Sequence, residues 1–484
     1  MSGVFEDLKP SGIWKHFEQI LKIPHCSENE TGLGDYIIRV AELNNLKWKR
    51  DDAGNVVVAK NATPGYENSV GVILQGHLDM VCEKNSDTDF DFTRDPIQAE
   101  VKNDWIQAKG TTLGADNGIG LSAALAIMED KDLRHPAMEF LFTVEEETGL
   151  IGAAQIQPGF LSGKRLLNLD SEEEGEFTIG CAGGADSEIS LPLQRTQIQN
   201  GTPCRIKLFG FRGGHSGIDI NQGRGNAIKL LARMLWQANR TLPFNLISFE
   251  GGNLRNAIPR EAWADLWVDP ERFEALSALF KEAFDKIYFE VKAIEDGAKF
   301  SFEKLSEDKP EPLDPASQKA LISLLLSIPH GVITMHPEIK DLVETSSNLA
   351  ACSTGETNAE IICSSRSSTA SAIEATREAI AAACSLAGAQ ITQPAGYPSW
   401  TPNLQSSLLQ TMKNVYTKKF NKEPKIAAIH AGLECGIIGE KFSGMDMISF
   451  GPTIEHPHSP EERVHLGSTG LFWEFLTTVL EKLK

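Results

Sequence analysis

The chain has 484 residues, of which 41% are hydrophobic and 23% are charged, a balance typical of soluble globular proteins. Its formal net charge of −20 argues against nucleic acid or an anionic membrane as a partner, because both bind basic patches. We expect no membrane span and no secretory signal, since no apolar stretch is long enough and the first residues lack a basic region followed by an apolar core. Small molecules and peptides are the expected ligands.

The eight cysteines are scattered along the chain, and none forms a CxxC pair. Several lie in apolar surroundings, such as Cys363 and Cys384, where a free thiol behaves as a small hydrophobic group. In a long chain without an export signal, we expect the cysteines to be free rather than paired in disulfides. This pattern predicts a cytoplasmic protein.

The first chemically informative segment is residues 70–79, with the sequence VGVILQGHLD. Its apolar residues predict a buried strand, and His77 and Asp79 follow at its end. Side chains two residues apart share one face of a strand, so the two side chains leave the sheet edge together. The carboxylate can then hold one imidazole nitrogen while the other nitrogen binds a metal ion. Taken alone, the segment is weak evidence, because a loop histidine bonded to a neighbour is the more common explanation of such a pattern.

Acidic and imidazole side chains follow later apolar segments in the same way. Individually, a Glu triplet is typical of a solvated turn, and an Asp before a helix is typical of an N-cap. Open α/β sheets, however, build their sites beyond the carboxyl ends of parallel strands, so the recurrence makes a metal centre as good an explanation as a set of unconnected turns and caps. The side chains concerned are Asp116, Glu145, Glu146, Glu147, Asp170, His456 and His458.

The order of predicted elements indicates two domains, as the length of the chain suggests. Residues 1–185 alternate strands and helices and are predicted to form the first part of an α/β catalytic domain, with helices flanking a central mixed sheet. From residue 186 the pattern changes, and residues 186–395 are predicted to form an inserted α+β domain. Residues 396–484 return to the catalytic domain, because they supply His458.

Six motifs, in this order, resemble those of the dinuclear zinc peptidase superfamily, which includes peptidase T, carnosinase and acetylornithine deacetylase. The chain most resembles the aminoacyl-histidine dipeptidase (peptidase D) group, and the likeness runs nearly end to end. Many members have Asp-Glu-Glu where this chain has Glu145, Glu146 and Glu147. We align Glu146 and Glu147 with the Glu-Glu pair of the family, because they stand three and two residues before Gly149. The motifs are HLD at 77–79, GADNG at 114–118, EEETG at 145–149, NLDSEE at 168–173, GGHSG at 213–217 and HPHSPEE at 456–462.

The resemblance implies two zinc ions per chain, for which cobalt or manganese can substitute. His77 and Asp170 become the terminal ligands of one ion. Glu147 and His458 become the terminal ligands of the other, and Asp116 bridges the two. A bridging carboxylate suits this task because it offsets the repulsion between two closely spaced dications. The resemblance also implies a cis peptide bond after the bridging Asp.

Catalytic roles follow from the same resemblance. Asp79 orients the imidazole of His77. Glu146 is the general base, which takes a proton from the attacking water and gives it to the leaving amine. The inserted domain corresponds to the family's lid, and its His215 corresponds to a histidine that stabilises the tetrahedral oxyanion.

Three further assignments concern the substrate. Asn256 and Arg366 resemble lid groups that hold the substrate carboxylate, a task that suits the fork of a guanidinium group. The alternatives are a turn residue for Asn256 and a surface ion pair for Arg366. We expect Glu434, in the segment HAGLECG, to meet the substrate ammonium group.

These assignments predict a cytosolic dinuclear zinc metallopeptidase that hydrolyses dipeptides with broad specificity, including Xaa-His dipeptides such as β-alanyl-histidine. One alternative is an N-acyl amino acid deacylase on the same dizinc framework. The other is a non-catalytic, metal-stabilised binding protein, although zinc affinity alone requires neither Asp79 nor Glu146. We also expect a homodimer. The sequence leaves open whether His215 serves its own chain or the partner's, because the inserted domain is roughly twice the size of the short lids of relatives.

Overall fold

The computed structural model describes residues 4–198, 201–306 and 309–484. These residues divide into two compact units. Unit 1 contains the residues up to Cys181 together with Trp400–Ala428 and Leu433–Lys484. Unit 2 contains Ala182–Ser399 and the short segment Ile429–Gly432. That unit 2 serves as a lid remains a prediction.

The main sheet of unit 1 is mixed and has eight strands in the described part of the chain. Its centre is parallel: the strand Val72–His77 lies between Met138–Thr143 and Arg165–Asn168 and runs in the same direction as both. All six residues of Val72–His77 are buried, as the apolar pattern predicted. In sheet order the strands are Lys47–Arg50, Val56–Lys60, Met138–Thr143, Val72–His77, Arg165–Asn168, Asp446–Ser449, Glu176–Cys181 and Lys425–Ile429.

Helices complete unit 1, together with a small four-stranded sheet. The helix Ala115–Glu129 is almost wholly buried and contacts both the strand Val72–His77 and the helix Ser11–Ile20. The strands of the small sheet, in order, are Ile454–Glu455, Arg463–His465, Trp105–Ala108 and Ala99–Lys102. The other helices are Thr31–Leu43, Ile151–Gln155, Ser407–Phe420, Glu434–Lys441 and Leu466–Lys482.

A glycine lets the buried helix approach the strand ends closely. A Cβ at Gly120 would lie 2.6 Å from the backbone oxygen of Leu169, closer than real Cβ contacts. The side chain of Asn117 uses the same close approach, since its Nδ2 donates a hydrogen bond to that oxygen at 2.7 Å. The GADNG segment therefore sits directly against the segment that carries Asp170.

Unit 2 is an α+β unit built on an antiparallel sheet. Its longest pairing is a hairpin between Val343–Thr354 and Asn358–Ser367. In order, the sheet contains Lys299–Lys304, Thr202–Phe209, Ala262–Val268, Asn245–Gly251, Val343–Thr354, Asn358–Ser367, Gly183–Pro192 and Gln390–Thr392, and Gly331–Met335 also pairs with Val343–Thr354. A separate ribbon pairs Gly214–His215 with Ala257–Ile258. The helices are Ala227–Thr241, the 3₁₀ turn Pro270–Arg272, Phe273–Val291, Pro315–Ser327 and Ala370–Ala387.

Hydrophobic packing explains the sheet and helices of unit 2. Alternate residues of Thr202–Phe209 are buried, including Cys204, Ile206 and Leu208. They belong to a continuous apolar core that also takes in the buried face of the helix Ala227–Thr241. Among the helices that the structure describes, none is both long enough and apolar enough to span a bilayer.

The prediction that all eight cysteines are free is wrong for one pair. Cys26 and Cys82 form a disulfide with their Cα atoms 5.7 Å apart, within the range that a disulfide requires. The two residues are 56 positions apart in sequence and meet because a parallel bridge joins Cys26 to Met80. Spacing along the chain carries no sign of this contact. All eight cysteines lie in the described ranges, and the other six are free and buried.

Candidate metal centre and active site

Three parallel strands bring most of the predicted site residues to one edge of the main sheet. His77 ends its strand in register with Thr143, and Gln75 is in register with Asn168. The segments that follow these strands therefore start side by side, and they carry Asp79, Glu146 and Asp170. His77 and Asp79 are each 1% exposed. The clustering is a direct result of parallel pairing.

Contacts at both ring nitrogens orient the imidazole of His77. Its Nδ1 lies 3.0 Å from the backbone oxygen of Asp79 and 3.4 Å from the Asp79 Oδ1. Its Nε2 lies 3.1 Å from the Oδ1 of Asp116 and 3.2 Å from the Oδ1 of Asp170. One nitrogen thus faces the supporting residue, and the other faces two carboxylates.

A second group of side chains shares the carboxylate of Asp116. The Nε2 of His458 lies 2.9 Å from the Oε1 of Glu147 and 3.2 Å from the Oδ2 of Asp116. The two oxygens of Asp116 therefore face two different histidines. The peptide bond between Asp116 and Asn117 is cis, as the resemblance implied. The structure brings together all five residues that the sequence assigned as ligands.

These residues fit a pair of divalent cations. His77, Asp116 and Asp170 offer ligand atoms within 4.8 Å of one another, and so do Asp116, Glu147 and His458. The Oε1 of Glu147 and the Oδ1 of Asp170 are buried, and each faces an imidazole nitrogen of the cluster, at 2.9 Å from His458 Nε2 and 3.2 Å from His77 Nε2. Imidazole and carboxylate are ligands that suit zinc.

The charge balance of the cluster points the same way. Burial raises the pKa of Asp170 to about 7, opposed by the nearby His77. Hydrogen bonds to Asp116 and Glu147 raise the pKa of His458 to about 11. The cluster contains more carboxyl groups than imidazole groups, which favours binding of a cation.

Asp79 contacts the backbone and side chains of the cluster through its carboxylate. Its Oδ1 accepts a hydrogen bond from the backbone N–H of Glu146 at 3.0 Å, and its Oδ2 accepts one from that of Glu147 at 3.1 Å. The hydroxyl of Ser27 also donates to Oδ2, at 2.8 Å. Burial opposes ionisation of Asp79, but the hydrogen bonds and charge of His77 outweigh it and lower the pKa to about 2. One ionised carboxylate thus fixes both His77 and the loop formed by residues 145–147, the Glu loop.

Glu146 belongs to this loop, and its carboxyl group lies within 4.8 Å of the ligand atoms of His77 and Glu147. Burial raises the pKa of its carboxyl group well above the usual value, and the carboxylates of Asp170 and Glu434 add to the effect while His77 opposes it. A carboxylate with a raised pKa accepts a proton more readily near neutral pH, which suits general-base chemistry. The neighbouring Glu145 adopts a positive φ of 50° at the turn.

Glu434 lies on the same side of the sheet, at the start of a helix, and is 1% exposed. Its Oε2 accepts hydrogen bonds from Gln75 at 2.5 Å and from the hydroxyl of Thr143 at 2.8 Å. Burial raises the pKa of its carboxyl group to about 7. Contact between Glu434 and a substrate ammonium group stays a prediction.

His215, in unit 2, is held as a defined tautomer. Its Nδ1 accepts hydrogen bonds from the backbone N–H groups of Gly217 at 3.2 Å and Ile218 at 3.0 Å. Nδ1 is therefore unprotonated, and Nε2 carries the proton of the neutral ring. Burial, together with the charge of Arg366, lowers the pKa of His215 and favours this neutral form. The ring presents a hydrogen-bond donor, the type of group that an oxyanion requires.

Arg366 is 8% exposed, which argues against a surface ion pair. Its Nη1 donates to the hydroxyl of Tyr397 at 2.6 Å, and its Nε has no hydrogen-bond partner among the described residues.

His430 lies in the same unit, where its Nε2 is 2.7 Å from the hydroxyl of Ser346. Burial, aided by Arg366, lowers the pKa of His430 to about 4. Asn256 is exposed, and its backbone oxygen accepts a hydrogen bond from the backbone N–H of Ser216 at 2.7 Å.

Sequence reasoning missed several supporting residues. Ser27 and Glu30 precede any motif, yet Glu30 accepts a hydrogen bond from the backbone N–H of Glu145 at 3.0 Å. Gln75 and Thr143 read as ordinary strand residues, although both contact Glu434. No pattern in one sequence marks such residues, because their partners are distant along the chain.

Comparisons with known proteins agree with this geometry. The model of peptidase family M20/M25/M40 matches residues 73–482. The chain is 41% identical over 477 residues to the cytosol non-specific dipeptidase of Escherichia coli K12, covering 98% of each protein. The crystal structure of aminoacylhistidine dipeptidase from Vibrio alginolyticus is similar with a TM-score of 0.93 and 41% identity, over 99% of this chain and 98% of that one.

A tripeptidase structure from Staphylococcus aureus shares the fold, with a TM-score of 0.61 at 15% identity, over 98% of this chain and 99% of that one. These likenesses confirm the predicted α/β peptidase fold and the predicted superfamily. The match to the family model and the identity to full-length relatives lead to one conclusion. The chain belongs to peptidase family M20/M25/M40.

Proposed function

We propose that the chain is a dinuclear zinc dipeptidase of broad specificity, which hydrolyses small peptides including Xaa-His dipeptides. One observation carries the proposal: the two oxygens of Asp116 face His77 on one side and His458 on the other. A carboxylate shared in this way suits two adjacent cations. The names of the two relatives that are 41% identical support the substrate class.

Five residues are proposed to hold the metal ions. His77 and Asp170 belong to one ion, Glu147 and His458 belong to the other, and Asp116 belongs to both. When bound, zinc ions polarise a carbonyl group and make a water molecule more acidic. Cobalt or manganese is proposed to substitute, because all these ligands are nitrogen or oxygen donors.

Glu146 is proposed to carry the proton. Its backbone is fixed by Asp79, and its carboxyl group has a raised pKa. The carboxylate takes a proton from the attacking water and then gives it to the amine that leaves. Asp79 contributes by holding His77 and the Glu loop in place.

Unit 2 is proposed to supply groups that recognise the substrate, as a lid does. His215 donates its Nε2–H to the developing oxyanion, a role that its tautomer allows. Arg366 and Asn256 bind the substrate carboxylate, and the unpartnered Nε of the buried Arg366 supports its part in this role. Glu434 of unit 1 binds the substrate ammonium group. We further propose a cytoplasmic homodimer, a location that the relative named as a cytosol dipeptidase supports.

The decisive experiment is hydrolysis of a dipeptide panel that includes β-alanyl-histidine, with N-acetyl amino acids tested in parallel. Metal content is measured on the same sample by elemental analysis. We expect turnover of several dipeptides, inhibition by a chelator and recovery on adding zinc. Preferred cleavage of the N-acetyl amino acids would favour the deacylase alternative. Absence of turnover in protein that holds both metals would favour a binding protein.

A further inference from the structure

Glu462 belongs to the motif HPHSPEE but has no role so far. It is 2% exposed, although an acidic residue in a polar turn is normally solvated. Its own backbone N–H donates to the backbone oxygen of Ser459 at 3.0 Å. Glu462 is therefore part of the turn that directly follows His458.

The side chain of Glu462 binds a distant segment through four consecutive backbone N–H groups. Its Oε2 accepts from Leu113 at 2.7 Å and from Gly114 at 2.9 Å. Its Oε1 accepts from Ala115 at 2.8 Å and from Asp116 at 3.1 Å. The two oxygens of a carboxyl group can each accept two hydrogen bonds, so Glu462 matches the four donors.

These four donors have a special need for an acceptor. They precede and open the helix Ala115–Glu129, where the first N–H groups of a helix have no partner within the helix. The loop turns through Gly114, whose φ is 74°, in the left-handed region. A buried N–H without an acceptor is costly, so the buried carboxylate of Glu462 stabilises the path of this loop.

The last of the four donors belongs to Asp116, whose carboxylate faces both His77 and His458. Any shift of this backbone would move the shared carboxylate relative to both groups of ligands. Glu462 also sits in the turn after His458, so it joins the segment that carries that ligand to the segment that carries Asp116.

We propose that Glu462 is a positioning residue for the metal pair: it fixes the backbone of Asp116 and ties it to the turn that carries His458. The inference rests on the proposed metal centre but assigns Glu462 no contact with metal, because its oxygens are occupied by the four N–H groups. Residues that orient metal ligands typically contribute 10- to 100-fold to metal affinity or activity.

The test compares Glu462→Gln with Glu461→Gln. The first substitution keeps the size of the side chain but turns an NH₂ group towards two N–H donors. The second removes the same charge from the adjacent exposed residue. Zinc affinity is measured at 25 °C by competition with a chromophoric chelator, on protein shown to be folded by circular dichroism. The absorption spectrum of the cobalt-loaded protein reports the ligand geometry.

We expect Glu462→Gln to weaken binding of both ions by about 10- to 100-fold and to alter the cobalt spectrum. Glu461→Gln should match the unsubstituted protein in both measurements. Folded Glu462→Gln with unchanged affinity and spectrum would overturn the inference, since a residue that served only the fold would leave both unchanged.

If Glu462→Gln does not fold, Glu462→Asp decides the question, because it keeps both acceptor oxygens on a shorter stem. Weaker zinc binding by folded Glu462→Asp supports the inference, and unchanged binding overturns it. Failure of both variants to fold assigns Glu462 to the fold and also overturns it. Failure of the unsubstituted protein to bind two ions would instead contradict the proposed metal centre, so the two hypotheses fail separately.

Discussion

The carboxylate of Asp79 accepts a hydrogen bond from the backbone N–H of Glu146 at 3.0 Å. The proposed orienting residue and the proposed general base are thus joined directly, although 67 positions separate them in sequence. The same carboxylate lies 3.4 Å from the Nδ1 of His77. A change at Asp79 therefore acts on a proposed ligand and on the base together.

Asp79→Asn tests this connection. An amide retains one acceptor oxygen, so it cannot accept from both Glu146 and Glu147 while facing His77. We expect kcat to fall by about 10- to 100-fold, as is typical when a residue that orients metal ligands is lost. Steady-state kinetics at saturating zinc measure the effect. Ser27→Ala, which removes one donor to Asp79, is the matched control and should have a smaller effect.

Glu146→Gln separates the base from the ligands. The amide keeps the size of the side chain but cannot take a proton, so kcat should fall by at least about 100-fold while metal content stays at the unsubstituted level. Glu147→Gln should instead lose metal. Near-normal turnover by Glu146→Gln, with full metal retention by Glu147→Gln, would show that the Glu triplet is aligned one position out of register.

Metal content tests the sharing of Asp116. Asp116→Ala should lower the occupancy of both ions, because its two oxygens face the two histidines. His458→Ala should mainly empty one site. Elemental analysis after dialysis gives the number of ions per chain. A single tightly held ion in fully active protein would defeat the two-ion proposal.

Two residues of unit 2 should affect catalysis differently. His215→Ala should lower kcat by roughly 100- to 1000-fold without loss of metal, as expected for an oxyanion donor. Arg366→Ala should mainly raise KM, because a group that binds carboxylate acts in the ground state as well. Full kinetic curves on one dipeptide distinguish the two patterns. Loss of metal from His215→Ala would contradict the assigned role.

Subunit mixing tests which chain His215 serves. Mixing His215→Ala protein with Glu146→Gln protein should restore activity only if His215 acts on the partner's site. No recovery in dimers proven to have exchanged subunits would show that each chain supplies its own histidine.

Stability should depend on pH through His16, which is fully buried and lies outside the metal cluster. Burial lowers its pKa from 6.5 to about 4. The unfolded chain therefore binds a proton more readily than the folded chain, so the contribution of His16 to stability is complete above about pH 6.5 and is lost as pH falls through 4. The loss over this window is up to about 3 kcal/mol in the free energy of unfolding. His16→Gln removes this contribution, so the Tm of the variant should fall less steeply between pH 6.5 and 4 than that of the unsubstituted protein. An unchanged slope would contradict the assignment.

The sequence by itself determined which side chains gather at the candidate site. His77, Asp116, Glu146 and Asp170 each follow or open an apolar element, and local periodicity is enough to locate such element ends. Because parallel strands end at a common edge, the side chains that follow them were expected to meet, and in the structure they do. The order of the motifs indicated the family for the same reason, since it reflects the order of the strands.

Only the tertiary structure decided which side chains support that site. Three contacts join segments that are far apart in sequence. They are the disulfide between Cys26 and Cys82, the hydrogen bond from Gln75 to Glu434, and the hydrogen bonds from the backbone of Leu113–Asp116 to Glu462. Such contacts depend on where whole elements pack, and a single sequence carries no periodic signal for the partner of a hydrogen bond. Local sequence determines which candidate site residues stand at the ends of elements, whereas the packing of whole elements determines which other residues hydrogen-bond to them.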